Sequence, residues 1–408
     1  MSKPIRIVLG ALMAGCAGVP VWADDRALCL DKQVEACTRL IDSEKQDQAN
    51  RANLFTVRGV AHHAKGEFDQ AISDYSEALR LDPRNANAFI DRGVAHEKKG
   101  ELDLAIADAS EGIRLDPRDP IAFNNRGNAH NAKGEHDQAI ADFSEAIRLN
   151  PTYANAFYNR GRAHEDRGEH DQAIADFSEA IRLRPNYADA FIHRGLAYQN
   201  KREHDKAIVD YSGAIRLDPT YASAFYNRGN AHSDKGELDL AIADYSEAIR
   251  LDSKYAHAFN NRGNAHNAKG EHDQAIADNS EAIRLDPTYA NAFYNRGVAH
   301  SDKGELDLAI ADYSEAIRLD PTFGDAFYGR GSAHQVKGEL DQAIADYSEA
   351  IRINPNLENA FYNRGLVSEK KGDIAAALAD YQSYQRLVPN DPDVSTAIAR
   401  VTKQKARE

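Results

Sequence analysis

Apolar residues recur along this chain with a helical spacing set inside a longer beat of 34 residues. Numbering each copy from the equivalent of Ala52, Phe stands at position 4 and Gly at position 8 in all ten copies. Ala follows at position 10 in nine copies and His at position 11 in eight. Positions 4, 8 and 11 share one side of a helix, so the first half of a copy predicts an amphipathic helix. Gly66, Gly100 and most equivalents at position 15 mark its end. Ala at 20, Ile at 21, an aromatic at 24, Ala at 27 and Leu or Ile at 30 predict a second helix. Acidic residues such as Glu67 and Asp69 open it, suiting the positive helix N-terminus, and Pro at 32 closes every copy but the one with Ser253. One such pair cannot bury its apolar face alone, whereas stacked neighbours can. The pattern predicts an all-α solenoid over residues 52 to 391, each unit packing on its neighbours.

The order aromatic, Gly, Ala, aromatic, Ala and Pro at these offsets resembles the tetratricopeptide repeat, with lapses at Ala109, Gly112, Arg202, Asn279 and Tyr384. The resemblance implies a right-handed superhelix of ten 34-residue helix-turn-helix repeats, with first helices lining a concave groove. An N-terminal half-unit (residues 24–51) and a capping helix (residues 392–408) would close its ends. Two departures stand out. The family usually has Leu at position 7, where this chain has Arg ten times, and Tyr at position 11, where it mostly has His.

Residues 1–23 read as a secretory signal: Lys3 and Arg6, an uncharged run from Ile7 to Val21, then Ala23 ahead of Asp24-Asp25. The expectation is an exported protein, periplasmic or secreted, cleaved after Ala23. Leu12-Met13-Ala14-Gly15-Cys16 also resembles the bacterial lipobox, which would make a lipoprotein lipidated at Cys16. An uncleaved membrane anchor fits less well, because Gly15, Gly18 and Pro20 break a short run. Cleavage after Ala23 leaves two cysteines, Cys29 and Cys37. On one straight helix they would lie about 12 Å apart, too far to bond. A turn near Asp31-Lys32 and a disulfide stapling the half-unit are therefore expected in an oxidising compartment, two free thiols being the alternative.

Arg at position 7 coincides with Asp at position 23 in every copy, which predicts an ion pair joining the two helices of a unit. The eight histidines from His62 to His334 lie on the packing stripe and are expected to hydrogen-bond neutral between units, with a pH-sensing ladder as the alternative. His136, His170, His204 and His272, at position 17, read as turn packing. No cofactor or metal site is expected.

Positions 2, 5, 6, 9, 12 and 13 of the first helix fall within one arc facing away from the apolar stripe. Of 27 asparagines, 19 lie there. Asn is a mediocre helix former, so propensity does not gather it on one face. Asn125, Asn159, Asn227, Asn261, Asn295 and Asn363 occupy position 6, and Tyr158, Tyr226, Tyr294, Tyr328 and Tyr362 stand beside them at position 5. The row resembles the asparagine ladder of O-linked N-acetylglucosamine transferases, which grips peptide backbone, although no catalytic domain follows here. Copying of one ancestral unit is the competing explanation, since residues 120–153 and 256–289 are nearly identical. Positions 2, 5 and 6 contain no Lys or Arg, which excludes the carboxylate clamp used by some relatives. Only Lys98, Arg162 and Lys370 put positive charge on the arc, against nine acids, so a neutral or basic partner is expected.

The formal charge of −14, with basic residues spread through the repeats, argues against nucleic acid. No nucleophile–base pair or phosphate loop stands outside the repeat grammar. The chain therefore reads as a non-enzymatic scaffold binding protein or peptide along the groove. The alternative is a structural or assembly subunit of an envelope or secretion complex, working through its convex face or ends. Pro392 to Glu408 reads as the capping helix, with Ala397, Ile398 and Val401 inward, or as a basic tail for lipid.

Overall fold

A computed structural model describes residues 25, 28–29, 33–43 and 47–406; the signal segment, Cys16 and the turn at Asp31-Lys32 lie outside these residues. Among the described residues every regular element is α-helical, and the helices pair as the 34-residue beat requires. They form two compact units, divided after Glu203.

The first unit begins with a short helix, Val34–Ile41, and Cys29 is bonded to Cys37 with their Cα atoms 4.7 Å apart. Cys29, Ala36, Cys37 and Leu40 form a buried cluster with Leu54 and Val57 of the next helix, Gln48–Ala64. Pairs follow at Gln48–Ala64 with Phe68–Leu81, Ala86–Lys98 with Leu102–Leu115, Pro120–Ala132 with His136–Leu149, and Ala154–Asp166 with His170–Leu183. Ala188–Asn200 ends the unit. The second unit opens with His204–Leu217 and runs through five further pairs, from Ala222–Asp234 with Leu238–Leu251 to Glu358–Lys371 with Ile374–Leu387. Pro392–Lys405 closes it, burying Val394, Ala397 and Val401 against Ile374, Ala377 and Tyr381, with Ile398 partly buried beside them. Arg400 does not stand free at this end: its guanidinium grips Glu369 at 2.7 and 2.8 Å.

Small residues set the spacing. The alanines at positions 3, 10 and 20 are buried throughout both units, and the position-24 ring lies flat on the position-8 glycine. A Cβ on Gly161 would stand 2.8 Å from Phe177 Cε1, and one on Gly59 2.7 Å from Tyr75 Cε1. Only glycine allows that approach. The position-15 glycines that end first helices have φ between +72° and +87°, the left-handed conformation glycine adopts without strain. Arg202 takes that place at φ 60°. Within each unit, first helices of successive copies touch one another while second helices scarcely do. Each stack therefore curves with its first helices inside.

Position 7 carries the predicted pair. Arg160 Nε and Nη2 donate to the two oxygens of Asp176 at 2.8 and 2.7 Å, and the same fork recurs from Arg58–Asp74 to Arg364–Asp380 within both units. The remaining nitrogen reaches back: Arg160 Nη1 donates to Ser144 Oγ of the previous copy at 3.0 Å. Arg58, which has no copy before it, donates to Thr38 Oγ1 at 2.9 Å instead. The half-unit thus supplies the hydroxyl that a preceding repeat would have supplied.

Candidate functional site

The inner wall of each stack presents the asparagine row. All six position-6 asparagines are half-buried, and most are held by the copy before. In the first unit Asn159 Nδ2 donates to Asn124 Oδ1 at 2.9 Å, and Asn124 Nδ2 lies 3.4 Å from Asn125 Oδ1. In the second, Asn295 donates to Asn260 at 2.8 Å, Asn261 to Asn230 at 2.9 Å and to Tyr226 Oη at 3.1 Å, and Asn363 to Tyr328 Oη at 3.0 Å. Each amide has two donor hydrogens and two acceptor lone pairs, so one bond fixes its orientation and leaves capacity facing outward.

The tyrosine rings are placed otherwise than a groove-facing row would be. Tyr158 packs on Tyr187 and Phe177 of its own copy, with ring centroids 4.8 and 5.8 Å apart. Tyr226 packs likewise on Tyr255 and Tyr245, Tyr294 on Phe323 and Tyr313, Tyr328 on Tyr347, and Tyr362 on Tyr381 and Tyr384. These rings belong to the interhelical packing, and the hydroxyls of Tyr226 and Tyr328 serve as acceptors for the asparagine row. Burial pushes the Tyr158 and Tyr294 hydroxyls up, keeping them protonated.

Two features escaped the sequence reading. The asparagines at position 5, Asn124 and Asn260, are buried and act as the anchors of the row. A second chain of bonds runs along the rim: His136 Nδ1 pairs with Asn131 Oδ1 at 2.9 Å, and Asn131 Nδ2 donates to Asp166 at 3.1 Å. His272, Asn267 and Asp302 repeat it at 2.8 Å each. The near-identity of residues 120–153 and 256–289 was the signal for both. A cleft of about 230 Å³ opens on this wall in the first unit, lined by Glu97, Asn128, Asn131, Ala132, Phe143, Asn159 and Arg162.

The position-11 histidines lie off this wall, and their bonds are not those expected. Instead of bridging units, each bonds inside its own copy: Nδ1 meets the Glu five residues on at 2.5–2.6 Å, as in His62–Glu67 and His300–Glu305. Nε2 stands 3.8–4.0 Å from the Arg-bound Asp, as in His62–Asp74 and His130–Asp142. The tight turn at position 15 folds the helix N-terminus under the imidazole, which makes that Glu the nearest partner. Among the described residues no cluster of His, Cys, Asp or Glu is arranged to hold a metal ion, and no helix is long and apolar enough to cross a membrane.

Comparison with known proteins agrees with this architecture. A family model described as TPR repeat matches residues 59–100, 127–166, 203–236, 229–270, 263–304 and 336–372, and one described as tetratricopeptide repeat matches 154–187 and 290–323. No curated protein matches the chain. Among solved structures, the chain is similar to the Cut9 and Hcn1 hetero-tetramer of the APC/C at 14% identity, with 93% of this chain and 95% of that chain covered and a TM-score of 0.51. It is also similar to MamA at 31% identity, covering 40% of this chain and 96% of that one with a TM-score of 0.37. YrrB, described as a TPR protein with an unusual peptide-binding site, is 23% identical over 45% of this chain and 95% of its own, with a TM-score of 0.39.

Proposed function

Because the chain belongs to the tetratricopeptide repeat family, we propose that it is a non-enzymatic interaction scaffold that holds a protein or peptide segment along the first-helix wall. The observation that carries this reading is the asparagine row, held copy to copy with amide capacity to spare. Pre-oriented amides bind backbone without dictating side chains, and many contacts each worth about 0.5–1.5 kcal/mol sum to useful affinity. Asn125, Asn159, Asn227, Asn261, Asn295 and Asn363 make that row, and the hydroxyls beside it add polar edges. Acids outnumber bases on the wall, favouring a neutral or basic partner. The N-terminal pattern and the Cys29–Cys37 bond favour an exported protein working in an oxidising compartment, periplasmic or secreted.

The assembly-subunit reading draws on a different surface. Leu240 and Leu308, on second helices of the second unit, are about half exposed at 52% and 53%. They are single residues two copies apart rather than a continuous patch, and such residues are common on monomers. Replacing Asn159, Asn227, Asn261 and Asn295 together with Ala decides between the two readings. Partner capture from periplasmic extract should fall sharply while the variant keeps its helicity and unfolds cooperatively, at a lower temperature because the buried Asn124 and Asn260 lose their donors. Undiminished capture by the folded variant rejects the groove reading.

A further inference from the structure

In several copies the position-24 hydroxyl ends on groove residues. Tyr245 Oη donates to Asn230 Oδ1 at 2.8 Å, Tyr347 Oη to Gln335 Oε1 at 2.6 Å and Tyr381 Oη to Glu369 Oε2 at 2.8 Å. These partners occupy positions 9 and 12 of the same copy. Position 6 of the following copy reaches the same spot, since Asn261 Nδ2 donates to the Asn230 oxygen that Tyr245 uses. Three helices thus bring one hydroxyl and two groove side chains together.

In the first two copies the equivalent residues are Tyr75, His63 and Asp91, and the bonds are missing. Position 9 is Val60, which offers no acceptor. Tyr75 is fully buried with no partner for its Oη, and the enclosed Nε2 of His63 has none either. His63 is fixed edge-on against Phe68 at 5.3 Å. Asp91 is half-buried and makes no ion pair or hydrogen bond among the described residues. Lys98, which acts on His63, is itself held by Glu97 at 3.1 Å. Folded proteins leave few buried polar groups unpaired, because each costs about 1–3 kcal/mol. Two such atoms, with the Asp91 carboxylate acting on Tyr75, stand at one place on the groove floor with bonding capacity unused.

We propose that Tyr75, His63 and Asp91 form an ammonium site that receives a primary amine of the chain bound in the groove. The chemistry matches group by group. An ammonium has three donors, and the site offers a phenol lone pair, an imidazole lone pair and a carboxylate. Burial and the neighbouring Lys98 hold the His63 imidazole down, so it is neutral and presents a lone pair, with Glu97 acting in the opposite direction. Burial, then Asp119, push the Asp91 carboxyl up to about 7, and burial, then Asp91 and Asp74, hold Tyr75 as the phenol. A cation beside Asp91 would favour its ionised form. The identity of the biological occupant rests on the groove reading; the amine chemistry does not.

The test uses the full chain and n-butylammonium chloride as probe, observed by saturation-transfer difference NMR. Binding should strengthen about tenfold from pH 6 to pH 8, the span over which a carboxyl of pKa about 7 ionises. Asp91→Asn should abolish it and Tyr75→Phe weaken it several-fold, with both variants melting cooperatively, while n-butanol should not bind. N-acetyl-lysine N-methylamide and alanine N-methylamide then separate a lysine side chain from a chain N-terminus as the source. Unchanged binding to folded Asp91→Asn, or n-butanol binding as well as the amine, overturns the proposal. Loss of the groove reading through the four-asparagine variant would leave the butylammonium result standing, so the two failures are distinguishable.

Discussion

A guanidinium stands at position 7 in all ten copies, and its three contacts explain what it does there. It clamps its own copy's Asp, reaches the previous copy's hydroxyl and lies over its own helix's Phe, as Arg160 does over Phe157 at 5.7 Å. Asp176 keeps only 7% side-chain exposure, so removing it leaves a largely covered Arg without its counter-charge. Arg160 retains 24% exposure, which moderates the cost. Asp176→Ala should lower stability by about 2–4 kcal/mol in urea unfolding. Glu179→Ala, which breaks the exposed Arg182–Glu179 pair, should change it by at most about 0.5 kcal/mol. Equal effects would show that the buried fork is no stronger than a surface pair. Asp91 gives the opposite sign. Its folded pKa is raised by burial, so its contribution to stability is fully present below the unfolded value and lost as pH rises to about 7. Asp91→Asn should therefore gain melting temperature over the parent progressively from pH 4 to pH 7.5. A gap that does not change with pH would mean that Asp91 is not strained by burial. The Arg–Asp pairs were legible because both residues recur at fixed offsets. The histidine–glutamate bonds were not, since their partner is set by how tightly the turn folds back.

At the scale of the helix pair, lapses in the pattern become physical defects. Asn279 stands where the near-identical copy has Phe143; it is buried, its Nδ2 bonds back to Ala275 O at 3.0 Å and its Oδ1 has no partner. Asn279→Phe restores a ring of the kind that packs on glycine in neighbouring copies and removes the orphaned acceptor. It should raise stability by about 1–2 kcal/mol in urea unfolding. A loss instead would mean that this copy has closed over the vacant ring position. Gly112, the lapse at position 27, needs no such repair: Ile90 fills the place of the missing methyl, with its Cγ1 2.7 Å from where a Cβ on Gly112 would stand. Helix existence and order could be read from the 34-residue spacing alone. The tyrosine rings could not, because a residue at the edge of an arc turns toward packing or solvent according to the helix that follows it.

At the scale of the whole chain, repetition made the fold class readable and left the partner obscure. A residue copied ten times is equally well explained by ancestry and by use, and only its environment separates them. The asparagine row carries bonds between copies, so part of its recurrence is structural. What remains is amide capacity on the inner wall of each stack, and the account holds that this surface contacts the partner. The most direct test places a photo-crosslinking benzoylphenylalanine at Asn264, exposed on the groove side, or at Leu240, exposed on a second helix of the same unit. Adducts with a captured protein or peptide should form from position 264 and not from position 240. Adducts from Leu240 alone would contradict the account and assign the interaction to the outer face.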